Sequence, residues 1–190
     1  KAVAITGLSL SGTDAGNYSL NSLTVNGDIN RKQLAISNIV VNGKTYDKTV
    51  SSDLNATVSG FATGETGTII GTYDNANAGT GKTINLSLMV GAGTLATNYS
   101  LSTPSINSGI ITQKNLTLSG LTASNRAYDG STIANVGGES VSLSGFISGD
   151  VVTLPETVVI TGANFSDKNV GTGKQVTITG LSLSGADAGN

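Results

Sequence analysis

KQVTITGLSLSGADAGN, residues Lys174 to Asn190, is the stretch that decides the fold. Val176-Thr177-Ile178-Thr179 alternates β-branched apolar and polar residues with the period of two expected of a half-buried strand. Leu181-Ser182-Leu183 resumes the alternation, but Gly180 shifts its parity, and a glycine at such a break marks a bulge or bend. The stretch closes on Gly185, Asp187, Gly189 and Asn190, residues that supply turns by positive φ or by bonding their own backbone.

The same stretch opens the chain. Lys1 to Asn17 reads KAVAITGLSLSGTDAGN and departs from it only at Ala2/Gln175, Ala4/Thr177 and Thr13/Ala186. A diverged third copy, Lys82 to Leu101, reads KTINLSLMVGAGTLATNYSL and shares Asn-Tyr-Ser-Leu with Asn17 to Leu20. Its Ile84-Asn85-Leu86-Ser87-Leu88 has no parity break, which predicts a straighter strand.

Working outward, Lys32-Gln33-Leu34 matches Lys114-Asn115-Leu116, Tyr46-Asp47 matches Tyr128-Asp129, and Gly60-Phe61 matches Gly145-Phe146. Tyr46 and Tyr128 stand 82 apart while Lys82 and Lys174 stand 92 apart, so the last repeat carries about ten extra residues in its middle. The frame is 1–31, the C-terminal part of a preceding repeat; 32–113, a complete repeat; and 114–190, a repeat without its final strand. Tyr18 to Asn30 holds the pieces that the third repeat lacks. Each repeat is therefore expected to be closed by residues beyond Asn190 in a longer chain, with neighbouring repeats of the same chain as partners. Head-to-tail self-association is also expected, with Tyr18 to Asn30 of one copy completing the third repeat of another.

Leu116-Thr117-Leu118, Val141-Ser142-Leu143 and Val158-Val159-Ile160 are further short strand patterns, and no amphipathic helix stands out. The fold class expected is all-β: tandem small antiparallel sandwich or barrel domains, Ig-like, of about six to eight strands each, stacked end to end. A β-grasp-like arrangement is the alternative. A solenoid would need a period nearer 20 to 30 residues, as an order of magnitude. A repeat of this size buries only about 60 to 65% of its unfolded surface, so contacts between neighbours matter.

Composition removes whole classes of function. Charged residues are 12% of the chain and the net charge is −2, which leaves no basic stripe for nucleic acid and no polybasic membrane anchor. Neither cysteine nor histidine occurs, so disulfides, Cys–His and Ser–His–Asp nucleophiles and nearly all zinc sites are ruled out. No apolar run reaches the roughly 18 residues of a membrane helix, so no membrane insertion is expected. An export signal, for a secreted chain, is expected outside these residues.

Around Tyr128-Asp129-Gly130 the sequence resembles the YDG-type repeats of filamentous-haemagglutinin-like adhesins of Gram-negative bacteria. Asn115-Leu116-Thr117-Leu118-Ser119-Gly120, Ser144-Gly145-Phe146-Ile147-Ser148-Gly149-Asp150, Asp167-Lys168-Asn169-Val170-Gly171-Thr172-Gly173-Lys174 and Gly185-Ala186-Asp187-Ala188-Gly189-Asn190 carry the likeness. The middle repeat departs from it at Tyr46-Asp47-Lys48 and at Leu95-Ala96-Thr97-Asn98. The resemblance implies an extracellular location on the bacterial cell surface and no catalytic residues. The host or surface receptor stays unnamed.

Each polar motif also has a structural reading. Ala76-Asn77-Ala78-Gly79-Thr80-Gly81-Lys82-Thr83 fits a loose phosphate-loop pattern, but strand patterns flank it and the sister copy reads Gly173-Lys174-Gln175, so a hairpin turn is expected. Asp47 and Asp129 are expected to bond their own backbone, with Tyr46 and Tyr128 packing on the core. Asn17, Tyr18, Asn98, Tyr99 and Asn190 are read as ordering the turn before the closing strand. These residues, with Gly130, form a structural signature; no catalytic, cofactor-binding or metal residue is assigned.

Asp14 with Asn17, Asp187 with Asn190, and Asp167 with Asn169 are oxygen pairs open to calcium, yet calcium wants six to eight oxygens and the middle copy places Leu95 at the aspartate position. Glu65, Glu139 and Glu156 do not align as a carboxylate pair, so no enzyme is expected. Lys–Asn isopeptide bonds have no specific support, and sequons such as Asn85-Leu86-Ser87 arise by chance in Ser/Thr-rich sequence. The function expected is a stalk or fibre repeat of a large secreted adhesin. The alternative is a carbohydrate- or protein-binding module, which exposed, clustered Tyr18, Tyr73 and Tyr99 would favour.

Overall fold

A computed structural model describes residues 1–138, 140–154 and 162–190. Val158-Val159-Ile160, Pro155, Glu139 and Glu156 lie outside the described residues. The leading fragment forms β1 (Ala2–Ile5) and β2 (Leu23–Asn26); the middle repeat forms β3 (Lys32–Asn42), β4 (Lys44–Thr45), β5 (Asp53–Ser59), β6 (Gly67–Tyr73), β7 (Gly79–Val90), β8 (Tyr99–Leu101) and β9 (Ile106–Thr112). The third repeat forms β10 (Thr117–Ser119), β11 (Thr122–Ala123), β12 (Val136–Gly137), β13 (Ser142–Ser144), β14 (Gly162–Phe165) and β15 (Val176–Thr179). The only helical pieces among the described residues are single 3-10 turns at Ala15–Asn17 and Ala96–Asn98. The chain is all-β.

Two compact units emerge, and neither is one contiguous stretch. The first comprises Lys1–Asn38, Ala56–Ile69 and Leu88–Thr103; the second comprises Ile39–Asn55, Ile70–Ser87 and Pro104–Asn190.

The middle repeat builds a three-stranded sheet, β5-β3-β8, and a four-stranded sheet, β4-β9-β7-β6. These are not purely antiparallel, which corrects the expectation. β8 runs parallel to β3, with Lys32 opposite Tyr99 and Leu34 opposite Leu101, and β9 runs parallel to β4, with Lys44 opposite Ile111. A parallel pair needs a crossover of a dozen or more residues, and the strands between β4 and β9 supply one. Tyr46, Tyr73, Ile84 and Ile111 form the core of the second unit, with Ile111 its most buried large side chain.

The parity breaks act as the sequence predicts. β1 stops at Ile5 ahead of Gly7 (φ 77°), and β15 stops at Thr179 just before Gly180 (φ 79°). β7, without the break, continues to Val90. Its own irregularity falls near Gly81 (φ 68°), where the register with β9 shifts. Among the described residues the third repeat pairs its strands two by two: β10 with β13, β11 with β12, and β14 with β15, all antiparallel.

Candidate functional site

The Tyr-Asp signature folds into the same turn twice. Asp47 Oδ1 accepts the Thr49 amide at 2.9 Å and Lys44 Nζ at 2.7 Å. Asp129 Oδ1 accepts the Ser131 amide at 2.8 Å and pairs with Arg126. Burial works against ionisation of Asp47, but Lys44 and the Thr49 amide hold its carboxyl below the ordinary value. The Ser131 amide and then Arg126 bring Asp129 down to about 2. The third residue of the motif sits in left-handed backbone in both copies, with φ 81° at Gly130 and 66° at Lys48. That region suits glycine, so Lys48 holds it against a steric penalty.

The two tyrosines part company. Tyr46 is buried among Tyr73, Ile84 and Ile111, whereas Tyr128 is 62% exposed, contrary to the core position expected of it. The reason is local. Ile111 of β9 belongs to the cluster around Tyr46, and among the described residues the third repeat has no strand matching β9.

The asparagine turns agree in all three copies. The amides of Asn17, Asn98 and Asn190 each donate to the carbonyl three residues back, at Asp14, Leu95 and Asp187, at 3.0 Å. A backbone carbonyl does this work, so Leu95 serves as well as aspartate. Asp187 Oδ2 instead accepts the Val151 amide at 2.8 Å, and Asp167 Oδ1 accepts the Asn169 amide at 2.8 Å and pairs with Lys174. These oxygens are engaged by the chain's own donors.

The phosphate-loop pattern is a hairpin turn between β6 and β7, with no helix after its glycines to converge amides on an anion. Lys82 Nζ donates to Asn75 Oδ1 at 2.6 Å, as Lys174 pairs with Asp167 in the sister turn, and Gly81 and Gly173 share positive φ (68° and 63°).

Within the second unit, the middle and third repeats meet at a built junction. Across it Asn190 Oδ1 accepts the Ala78 amide at 2.9 Å and the Gly189 carbonyl accepts Gln113 Nε2 at 3.0 Å, while the Asn190 carbonyl closes its own repeat on the Lys114 amide at 2.7 Å. Ile147 packs on the Tyr46 cluster. Lys48 Nζ reaches the buried carboxylate of Asp150 at 2.8 Å. Asp150 holds the Lys48 ammonium above its ordinary value, while burial and then the hydrogen bond to Asp150 raise the Tyr46 phenol. The sequence did not single out Lys48, Asp150 or Ala78 as a set. The one hint was Lys48, standing where the related turn has glycine.

Tyr99 shows what a closed repeat does with its signature tyrosine. Its ring meets Phe61 edge to face at 5.0 Å, its hydroxyl accepts the Ala62 amide at 3.0 Å, and that hydroxyl donates to Glu65. Counting from the shared Gly-Phe, those three positions in the third repeat are Phe146, Ile147 and Asp150. All three line a cavity of about 310 Å³ with Leu116, Leu143 and Leu183. Tyr73 and Tyr99 are buried and Tyr18 is exposed, so the three do not present a shared face to solvent.

A family model described as the YDG domain matches residues 30–106 and again residues 112–190. No curated protein and no solved structure gives a match to the chain.

Proposed function

Because this chain belongs to the YDG domain family, we propose that it is a structural stalk or fibre segment of a large secreted bacterial adhesin, extending from the cell surface by stacking repeats. The single observation that carries this reading is the junction, where Asn190 meets Ala78, Gly189 meets Gln113 and Asp150 meets Lys48. Such bonds fix one repeat on the next, and in a one-dimensional array stability then sums over units and neighbour contacts. The surface location and the adhesin setting rest on the resemblance of the third repeat to filamentous-haemagglutinin-like modules. Direct glycan binding is the weaker reading, since glycan platforms want exposed aromatic rings and Tyr46, Tyr73 and Tyr99 serve the cores.

The test is a fusion in which a second Tyr18–Asn190 follows Asn190. Small-angle scattering should show a maximum dimension that grows in proportion to the added repeats. A fused chain no longer than the single one, or saturable binding of glycans by the isolated repeats, would overturn the spacer role.

A further inference from the structure

We propose that the middle repeat carries a site of spontaneous covalent modification: the Asn42-Gly43 pair deamidates and sets a new carboxylate against Asp53, where β3 hands over to β4. This goes beyond the spacer reading, since it concerns a chemical change within one repeat.

The reaction needs only the chain and water. The backbone nitrogen of Gly43 attacks Cγ of Asn42 and gives up its proton, the bond from Cγ to the carboxamide nitrogen breaks, and ammonia leaves. Water then opens the five-membered imide at one carbonyl or the other, giving aspartate or its β-linked isomer. The side chain thus exchanges ammonia for water and gains a negative charge. A following glycine favours the attack, because no Cβ crowds the nitrogen and the backbone turns freely toward the side chain.

Two Asn-Gly pairs occur in the chain, Asn26-Gly27 and Asn42-Gly43, and they differ in what holds the attacking nitrogen. The Gly27 amide donates to the Lys1 carbonyl at 2.9 Å. Gly43 lies exposed between β3 and β4, and among the described residues no backbone carbonyl accepts its amide. Asn42 is exposed as well. Its Nδ2 donates to Asp53 Oδ2 at 3.0 Å, at the surface, where water competes for both groups. Counting back from Tyr46 and Tyr128, the third repeat has Ser124-Asn125 in this place, so the change falls on the middle repeat.

The position gives the change its effect. β3 and β5 are neighbours in one sheet, and the bond from Asn42 to Asp53 joins them. Deamidation removes that donor and leaves two carboxylates face to face, so an attraction across the sheet becomes a repulsion. On the main-chain side, the Asn42 carbonyl accepts Tyr73 Oη at 3.4 Å, and Tyr73 sits in the core with Tyr46, Ile84 and Ile111. The β-linked isomer adds a methylene to the main chain at Asn42, two residues before Lys44 takes its place opposite Ile111. Both products therefore loosen the entry to the parallel pairing of β4 with β9.

Incubation of the folded chain in mildly alkaline buffer, followed by peptide mapping with mass spectrometry, tests this. The peptide that carries Asn42 should gain about 1 Da and split into two chromatographic forms, severalfold faster than the peptide that carries Asn26 converts. Gly43→Ala should slow the gain severalfold without disturbing the fold, because a Cβ there meets only Ile110, at 3.5 Å, and the backbone is not left-handed. Asn42→Asp should lower the thermal midpoint, and by less when Asp53→Asn is present as well. An Asn42 peptide that keeps its mass, one that converts no faster than Asn26, or a gain undiminished in Gly43→Ala would overturn the site. An Asn42→Asp midpoint equal to that of the wild type would overturn the repulsion from Asp53. None of these results bears on the proportional lengthening expected of the spacer, so the two readings fail separately.

Discussion

Nζ of Lys48 in the middle repeat lies 2.8 Å from Oδ1 of Asp150 in the third, and the carboxylate is 3% exposed while the lysine is 44% exposed. The pair joins the two repeats by charge at one of the few places where the backbone of a non-glycine residue is left-handed. Lys48→Met leaves a buried carboxylate facing an apolar side chain, and a lower thermal midpoint is expected. Lys48→Gly also forfeits the ion pair but relaxes φ 66°, so its midpoint should fall less. Calorimetry of the two variants separates charge from backbone.

The same contact sets an alkaline limit. Lys48 and Tyr46 both titrate above their ordinary values of 10.5 and 10.0 in the folded chain. Raised values favour the protonated forms, so the stability they contribute is fully present below the unfolded values and is lost as pH rises through the folded ones. The urea midpoint should hold steady up to about pH 9 and decline above pH 10, with a shallower decline in Tyr46→Phe.

At the acid end the Tyr-Asp-Gly turn is the group to watch. Asp129 titrates at about 2 against an ordinary 3.8, so its contribution is present above 3.8 and is lost as pH falls through about 2. A carbon-detected NMR titration should place the Asp129 carboxyl midpoint near 2, and Ser131→Pro, which removes the amide donor, should move it upward.

Two isoleucines that each stand three residues before the lysine opening a repeat should respond unequally to truncation. Ile111→Ala opens a cavity beside Tyr46, Tyr73 and Ile84 and should cost about 2 to 5 kcal/mol. Ile29→Ala acts on an exposed side chain and should stay within about 0.5 kcal/mol. Urea unfolding of the chain at a concentration where it is a single copy reads both.

Asn190 works through an oxygen. Asn190→Ala removes the acceptor for the Ala78 amide and should cost about 1 kcal/mol, seen as faster hydrogen exchange at Ala78. Asn190→Asp retains a side-chain oxygen and should preserve most of the protection.

Strands and turns were legible because their causes are local. Alternation at Val176–Thr179 gave β15, and Gly180 gave its end; Asp129 followed by glycine gave a turn that closes on the Ser131 amide. Parallel pairing was not legible, because Lys32 and Tyr99 are brought side by side by the strands between them rather than by any neighbouring residue. The split between Tyr46 and Tyr128 was hidden for a related reason: one motif meets β9 and the other does not, and burial belongs to the covering strand. The pairing of Lys48 with Asp150 links positions with no spacing rule between them, so no pattern in the chain announces it.

The parallel pairing of β4 with β9 has a mechanical consequence. Tension drawn through the ends of the middle repeat meets β3 first and, beyond it, draws β4 from its N-terminal side and β9 from its C-terminal side. Parallel neighbours pulled that way slide along one another, so their cross-links bear load together instead of opening one at a time like a zipper. Single-molecule extension should show separate rupture peaks, with a lower peak once Lys44→Pro removes an amide from the side of β4 that faces β9, the side on which the Tyr46 amide donates to the Thr112 carbonyl at 2.8 Å.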